Sequence, residues 1–201
     1  MRRQLLLISA LSGLLLYGSA AAASAASTST GHSSAHASSG HASSGQNCVA
    51  QAEPDGSMVQ PPVTCYASFS ASIAAATGGR IQLPARTAPA SVTSAEIASW
   101  NADPSSTFIL SVDYKDANFN GPSLTWTQTQ SCGSFQAAAM PNGWNDIVSS
   151  VVTSTGCANT LYKNVNFGGT TFSISRNSTV ASLGSFNDQT SSEKWCTSRP
   201  C

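Results

Sequence analysis

Hydrophobic and polar positions divide the chain into four unequal stretches. Leu5 to Leu16 is a strongly apolar run, broken by Ser9, Ser12 and Gly13. From Ser27 to Gln46 almost every position is Ser, Thr, Ala, Gly or His. Over residues 47–105 apolar positions are sparse. Cys48 to Thr64 is rich in Pro and polar residues and reads as irregular chain. Tyr66, Phe69 and Ile73 then fall at helical spacing, with Thr64 as N-cap and Gly78-Gly79 as the stop. Arg80 to Leu83 reads as a short strand before Pro84. Thr93-Ser-Ala-Glu96 forms a capping box for a second short helix ending near Trp100.

From Thr107 the pattern becomes that of strands. Phe108 to Val112 runs into Tyr114, and Leu124 to Thr127 alternates apolar and hydroxyl residues. Ile147-Val148 and Val151-Val152 give a further strand. Leu161-Tyr162, Thr171 to Ile174 and Ser191 to Trp195 echo these in the second half. Short strands separated by Gly- and Asn-rich turns predict an all-β sandwich over residues 106–201. The two helices before it are expected to lay their aromatic faces on one flank of that sandwich, because about 55 residues with one disulfide make a thin core by themselves.

The first stretch is an address label. Arg2-Arg3, the apolar run and the small residues Ala20 to Ala26 have the order of a secretory signal, residues 1–26, with an Ala-x-Ala exit. The run is shorter than the roughly 20 apolar residues that a spanning helix needs. Loss of Arg2 and Arg3 leaves seven basic against nine acidic residues, a net charge of −2. That balance points to neither a nucleic-acid nor a membrane partner. Residues 27–46 contain the repeat His36-Ala-Ser-Ser-Gly40, His41-Ala-Ser-Ser-Gly45 and lack side chains large enough to offset ordering entropy, so they read as a flexible tether. Metal capture by His32, His36 and His41 would carry a heavy ordering cost on such a strand.

Those three are the only histidines. Their absence from Asn47 onward removes Ser-His-Asp and Cys-His catalysis and histidine zinc sites from the folded part. No enzyme is expected. The six cysteines, Cys48, Cys65, Cys132, Cys157, Cys196 and Cys201, read as three disulfides of an exported protein. Six cysteines allow fifteen pairings, and proximity in sequence favours Cys48–Cys65, Cys132–Cys157 and Cys196–Cys201.

Candidate chemistry lies in a doubled pattern. Asn145-Asp146-Ile147-Val148-Ser149-Ser150 is matched by Asn187-Asp188-Gln189-Thr190-Ser191-Ser192. Tyr114-x4-Phe119-x-Gly121 precedes the first and Tyr162-x4-Phe167-x-Gly169 the second. These four pieces resemble the microbial βγ-crystallin-like, calcium-binding domain family over about residues 106–196. The resemblance implies two Greek-key motifs packed as a β-sandwich, preceded here by the small, partly helical, disulfide-bonded segment. It also implies two Ca2+ ions in a crossed double clamp. One ion would take the Ile147 carbonyl, the Ser149 hydroxyl and, from the other loop, Asp188. The second would take the Gln189 carbonyl, the Ser191 hydroxyl and Asp146. Hairpin carbonyls of Lys115 and Lys163 would complete one site each, and Asn145 and Asn187 would brace the loops. One carboxylate per ion implies weak affinity, about 10⁻⁴–10⁻³ M. Tyr114 with Phe119, and Tyr162 with Phe167, would stack over their hairpins.

Two functions are expected. One is a secreted calcium-binding protein with a structural or stress-related role. The other is a secreted peptidase inhibitor, since certain bacterial metalloprotease inhibitors share this fold. Its partner would be an extracellular protease, and the stretch Gly133–Asn142 after Cys132 would be the exposed, disulfide-braced inhibitory loop.

Overall fold

The computed structural model describes residues 46–54, 60–103 and 107–201. The expected signal, residues 1–26, and all but the last residue of the expected tether, residues 27–46, lie outside them. Eleven strands and two α-helices occur among the described residues. The strands are β1 (Asn47–Gln51), β2 (Glu53–Pro54), β3 (Val63–Tyr66), β4 (Phe108–Asp116), β5 (Asn120–Gln128), β6 (Phe135–Ala137), β7 (Ser150–Thr153), β8 (Ala158–Asn164), β9 (Gly168–Ile174), β10 (Thr179–Val180) and β11 (Ser192–Cys196). The helices are α1 (Phe69–Ala76) and α2 (Ser94–Trp100).

The strands form two sheets, ordered β10-β7-β4-β5-β1-β3 and β2-β6-β11-β8-β9. The order records an exchange. Hairpin β4–β5 and strand β7 lie in the first sheet, but the intervening β6 pairs with β11 in the second. Hairpin β8–β9 and β11 lie in the second sheet, and the intervening β10 pairs with β7 in the first. Each four-stranded Greek key thus lends its third strand to the other, and neither half buries its apolar face alone.

The stretch from Cys48 to Thr64 is not irregular throughout, as its composition had implied. β1 runs parallel to β5 and antiparallel to β3, and β2 extends the edge of the second sheet through β6. Ladder hydrogen bonds and the Cys48–Cys65 disulfide, whose two residues face each other in register, hold these strands. Neither contact leaves a mark in the hydrophobic pattern. The other two disulfides are Cys132–Cys157 and Cys196–Cys201. Helix α1 is capped by Ser68 rather than Thr64, which lies with Tyr66 in β3. Gly78 and Gly79 end it at φ +62° and +83°. Arg80 to Leu83 is not a strand. Helix α2 carries the full capping box between Thr93 and Glu96.

Two apolar clusters follow from strand β4. Its outward residues Ile109, Val112 and Tyr114 pack under Phe69, Ile73, Val92, Ile97 and Trp100, so the helices cover the outer face of the first sheet. Its inner side contributes Leu110 to the core between the sheets. A register shift between Ile109 and Ser111 marks a β-bulge, after which Ser111 and Asp113 face inward. There the Trp195 indole N–H donates to Ser111 Oγ (3.1 Å) and that of Trp126 to Asp113 Oδ2 (2.7 Å), with ring centroids 4.9 Å apart.

Candidate metal centre

Each Asn-Asp loop holds its aspartate in the left-handed region, Asp146 at φ +56° and Asp188 at φ +55°. Aspartate tolerates this conformation better than most residues because its short polar side chain bonds locally. The two loops are stitched directly to one another. Asp146 N–H donates to the Thr190 carbonyl (2.9 Å) and Asp188 N–H to the Val148 carbonyl (3.0 Å). These reciprocal bonds carry each carboxylate out of its own loop toward the other.

The first predicted set converges. Ser149 Oγ lies 2.6 Å from the Lys115 carbonyl and 3.2 Å from Asp188 Oδ1. The Ser149 N–H donates to the Tyr114 carbonyl (2.9 Å), which fixes Lys115 beside the loop. Ile147 precedes Val148, the residue whose carbonyl is taken by Asp188. The second set is similar but looser. Ser191 Oγ lies 3.1 Å from Asp146 Oδ1, and Ser191 N–H donates to the Tyr162 carbonyl (2.9 Å), the neighbour of Lys163. Ser191 hydrogen-bonds Asp146 without drawing in the Lys163 carbonyl, unlike its counterpart. Gln189 uses its side chain to donate to the Ser185 carbonyl (2.7 Å), leaving its backbone carbonyl as its contribution to the loop. Both serines are buried and both aspartates exposed, so each cluster opens to solvent on its carboxylate side.

Asn145 braces as expected, donating to Asp146 Oδ2 at 2.6 Å. Asn187 makes its bond through the backbone, to the Gly184 carbonyl (3.2 Å). The last serine of each repeat had no role assigned from sequence. Ser150 Oγ bridges the Asp116 carbonyl (2.7 Å) and the Phe119 N–H (3.0 Å), and Ser192 Oγ bridges the Asn164 carbonyl (2.7 Å) and the Phe167 N–H (3.0 Å). Those serines latch the hairpin tips to the loops. Recurrence of a second hydroxyl after Ser149 and Ser191 was the available signal. The tips also hold Tyr114–Phe119 and Tyr162–Phe167 edge-to-face at 5.6 Å in both copies.

The donor set is hydroxyl, carboxylate and carbonyl oxygen. Among the described residues no three His, Cys, Asp or Glu side chains converge. Such an oxygen set suits a hard cation and offers nothing that a soft transition metal would prefer. Asp146, Ser149 and Ile147 with Asp188, Ser191 and Gln189, and the hairpin carbonyls of Lys115 and Lys163, are the residues that fit it.

The stretch expected as an exposed inhibitory loop, Gly133–Asn142, is mostly buried. Phe135 to Ala137 forms β6 between β2 and β11, and Phe135, Gln136, Ala137, Ala138 and Met140 are buried. Its apolar side chains are drawn into the core, so little of it stays exposed.

A second polar group lies between the sheets. Asp113 and Glu193 are fully buried. Trp126 donates to Asp113 Oδ2 and Asn159 Nδ2 to Glu193 Oε2 (2.9 Å), while Asp113 Oδ1 and Glu193 Oε1 are buried without a donor among the described residues, so the two neighbouring carboxyls couple through a retained proton. Burial pushes Asp113 up to about 7 and Glu193 well above the usual carboxylate range.

Residues 114–174 match the model of peptidase inhibitor family I36. The match runs from the end of β4 through the first Asn-Asp loop and the whole β8–β9 hairpin, and ends before the second loop. No curated protein matches the chain. Solved structures similar to it include a βγ-crystallin domain from Clostridium beijerinckii, 25% identical, with a TM-score of 0.35 over 44% of this chain and 99% of that one. A βγ-crystallin domain from Flavobacterium johnsoniae is 26% identical, with a TM-score of 0.34 over 46% of this chain and 99% of that one. Three disulfides are present, and no helix among the described residues is long and apolar enough to cross a membrane. With its third strands exchanged between two Greek keys, the chain has a βγ-crystallin-like sandwich, a fold shared with peptidase inhibitors.

Proposed function

We propose that this is a secreted protein whose sandwich binds two calcium ions in a crossed clamp between the Asn145–Ser150 and Asn187–Ser192 loops. The observation that carries the reading is the meeting of Ser149 Oγ, the Lys115 carbonyl and Asp188 Oδ1, from three separate segments, at hydrogen-bond distance. Ser191 and Asp146 repeat that pairing in the other half. Oxygens gathered in this way without an ammonium or guanidinium among them favour a cation, and a calcium ion would supply the positive charge that they share. Each aspartate would neutralise an ion held mainly by the opposite loop, tying the two Greek keys together. The role that follows is structural: stabilisation of an exported domain, with stress tolerance as its setting. Melting of the mature protein with calcium and with chelator tests this, and an unchanged midpoint at millimolar calcium would refute it.

The match to family I36 favours a second reading, inhibition of an extracellular metalloprotease. Burial of Phe135 to Ala138 and of Met140 leaves little of the Gly133–Asn142 stretch exposed for that task. Titration of a thermolysin-like protease with the mature protein decides the matter: stoichiometric loss of peptidase activity would establish inhibition, and full activity at micromolar protein would exclude it.

A further inference from the structure

A trough on the surface has no part in the clamp. One hollow, of about 490 Å³, is lined by Ala98 of α2, Phe108 at the start of β4, Cys132 and Gly156, together with Asn101, Ser131 and Thr155. Cys132 is half of the Cys132–Cys157 bridge and Gly156 adjoins the other half, so the disulfide and the Phe108 ring give the hollow a rigid apolar part. A neighbouring hollow, of about 330 Å³, is bounded by Ser175, Arg176, Ser198 and Arg199. Arg176 and Thr197 line both, which makes the two one continuous depression.

Its charge is one-sided. Among the described residues no Asp or Glu lines either hollow. Arg199 is steadied by a bond from Nη1 to the Ser173 carbonyl (3.3 Å), within the short loop closed by Cys196–Cys201. The Arg176 guanidinium is exposed and has no hydrogen bond or ion pair with the described residues. Arginine forks match carboxylates in a bidentate geometry, and an unpaired one beside that apolar part is half of a recognition site. Phe108 and Lys115 stand at opposite ends of β4. At the usual strand rise this puts roughly 20 Å between trough and clamp.

We propose that this trough docks an acidic peptide segment, with an apolar side chain seated over Phe108 and the Cys132–Cys157 bridge and its carboxylate on Arg176 and Arg199. A sulfated or uronic polysaccharide would meet the two arginines, but the Phe108 ring and the disulfide offer its hydroxyls no partner. Charge complementarity alone therefore does not select the occupant, and the apolar part decides for the peptide.

The mature protein, held in chelator to keep the clamp out of the measurement, is titrated with a fluorescein-labelled Gly-Ser-Gly-Leu-Glu-Glu peptide. Its Gln-Gln amide analogue and a heparin oligosaccharide run in parallel. Anisotropy should report binding of the acidic peptide, at least about tenfold weaker for the neutral analogue. Backbone amide resonances of Ala98, Gly156, Arg176 and Thr197 should move. Arg176→Gln should weaken binding by about tenfold or more, since the guanidinium supplies the charge-assisted contact. Ala98→Trp should block the hollow in a protein whose melting midpoint is unchanged. The proposal is overturned if the acidic and neutral peptides bind alike, if R176Q binds as the unmodified protein does, or if the shifted resonances lie elsewhere. It is equally overturned if only the oligosaccharide binds, or if deleting residues 27–46 is needed before any peptide binds, because the tether would then be the occupant.

Discussion

Ser149 Oγ and Asp188 Oδ1 stand 3.2 Å apart although 39 residues separate them in the chain. The pair joins the first Greek key to the second through polar side chains. Its twin, Ser191 with Asp146 at 3.1 Å, runs the other way. A crossed arrangement of this kind makes a definite statement about single substitutions.

Asp188→Asn should weaken chiefly the ion that Ser149 and Lys115 help to hold, and Asp146→Asn the one beside Ser191. Both keep the side-chain shape and remove the charge. Each single variant should retain one site, and the double variant should melt alike in calcium and in chelator. Calorimetric stoichiometry of the three variants checks this; loss of both sites from either single variant would show that the loops do not cross.

Gly121 is required by its surroundings. It lies at φ +74°, and a Cβ there would come within 2.9 Å of Asp116 Cγ. Gly121→Ala should cost about 1–3 kcal/mol, the usual magnitude for a strained backbone position. Chemical denaturation with and without the Asp116→Ala change measures it. Relief of part of the loss in the double variant is expected, since the clash goes and the positive φ stays.

Much of this was legible in the sequence, and the reason is repetition. Two copies of Tyr-x4-Phe-x-Gly and of Asn-Asp-x-x-Ser-Ser pointed to the hairpins and loops, because left-handed turns and hydroxyl latches demand particular residue types. Strands β1 to β3 escaped notice because they are short, polar and held by ladder bonds and a disulfide. Asp113 and Glu193 escaped for a different reason. In a strand reading Ile-Leu-Ser-Val-Asp-Tyr, alternation assigns Ser111 and Asp113 to solvent. Instead the bulge and the covering helices leave both faces of β4 buried, and the polar residues are paired inside.

That buried pair predicts a pH dependence. Unfolded, both carboxyls lose their protons near the ordinary carboxylate range. Folded, Asp113 keeps its proton to about 7 and Glu193 is raised as well. The native state therefore binds more protons across this window, and the pair's contribution to stability is complete below about pH 4 and lost as pH rises to about 7. In chelator the melting midpoint should fall between about pH 5 and about pH 8. Asp113→Asn can accept from Trp126 and donate to Glu193 without a shared proton, so it should flatten the curve and melt higher than the unmodified protein at the alkaline end. A midpoint that rises with pH in the unmodified protein would contradict this reading.

All six cysteines are paired, so thiol titration of the unfolded, unreduced protein should find no free thiol. The Cys132–Cys157 bridge spans 25 residues. In the chain-entropy view, replacing both by Ala should cost on the order of 3 kcal/mol. An intact denaturation midpoint in that variant would mean that the bridge constrains little of the unfolded chain.

Calcium titration of the mature protein by isothermal calorimetry bears most directly on the crossed clamp. Two sites per chain are predicted, with dissociation constants near the weak end for calcium modules, about 10⁻⁴–10⁻³ M. Magnesium should give little heat, because it demands tighter octahedral geometry and sheds water reluctantly. Saturation at 100 times the dissociation constant should add about 2.7 kcal/mol per site to stability. A stoichiometry of two that falls to one in Asp188→Asn is the predicted result. No heat at millimolar calcium, with the protein folded and its disulfides intact, would contradict it.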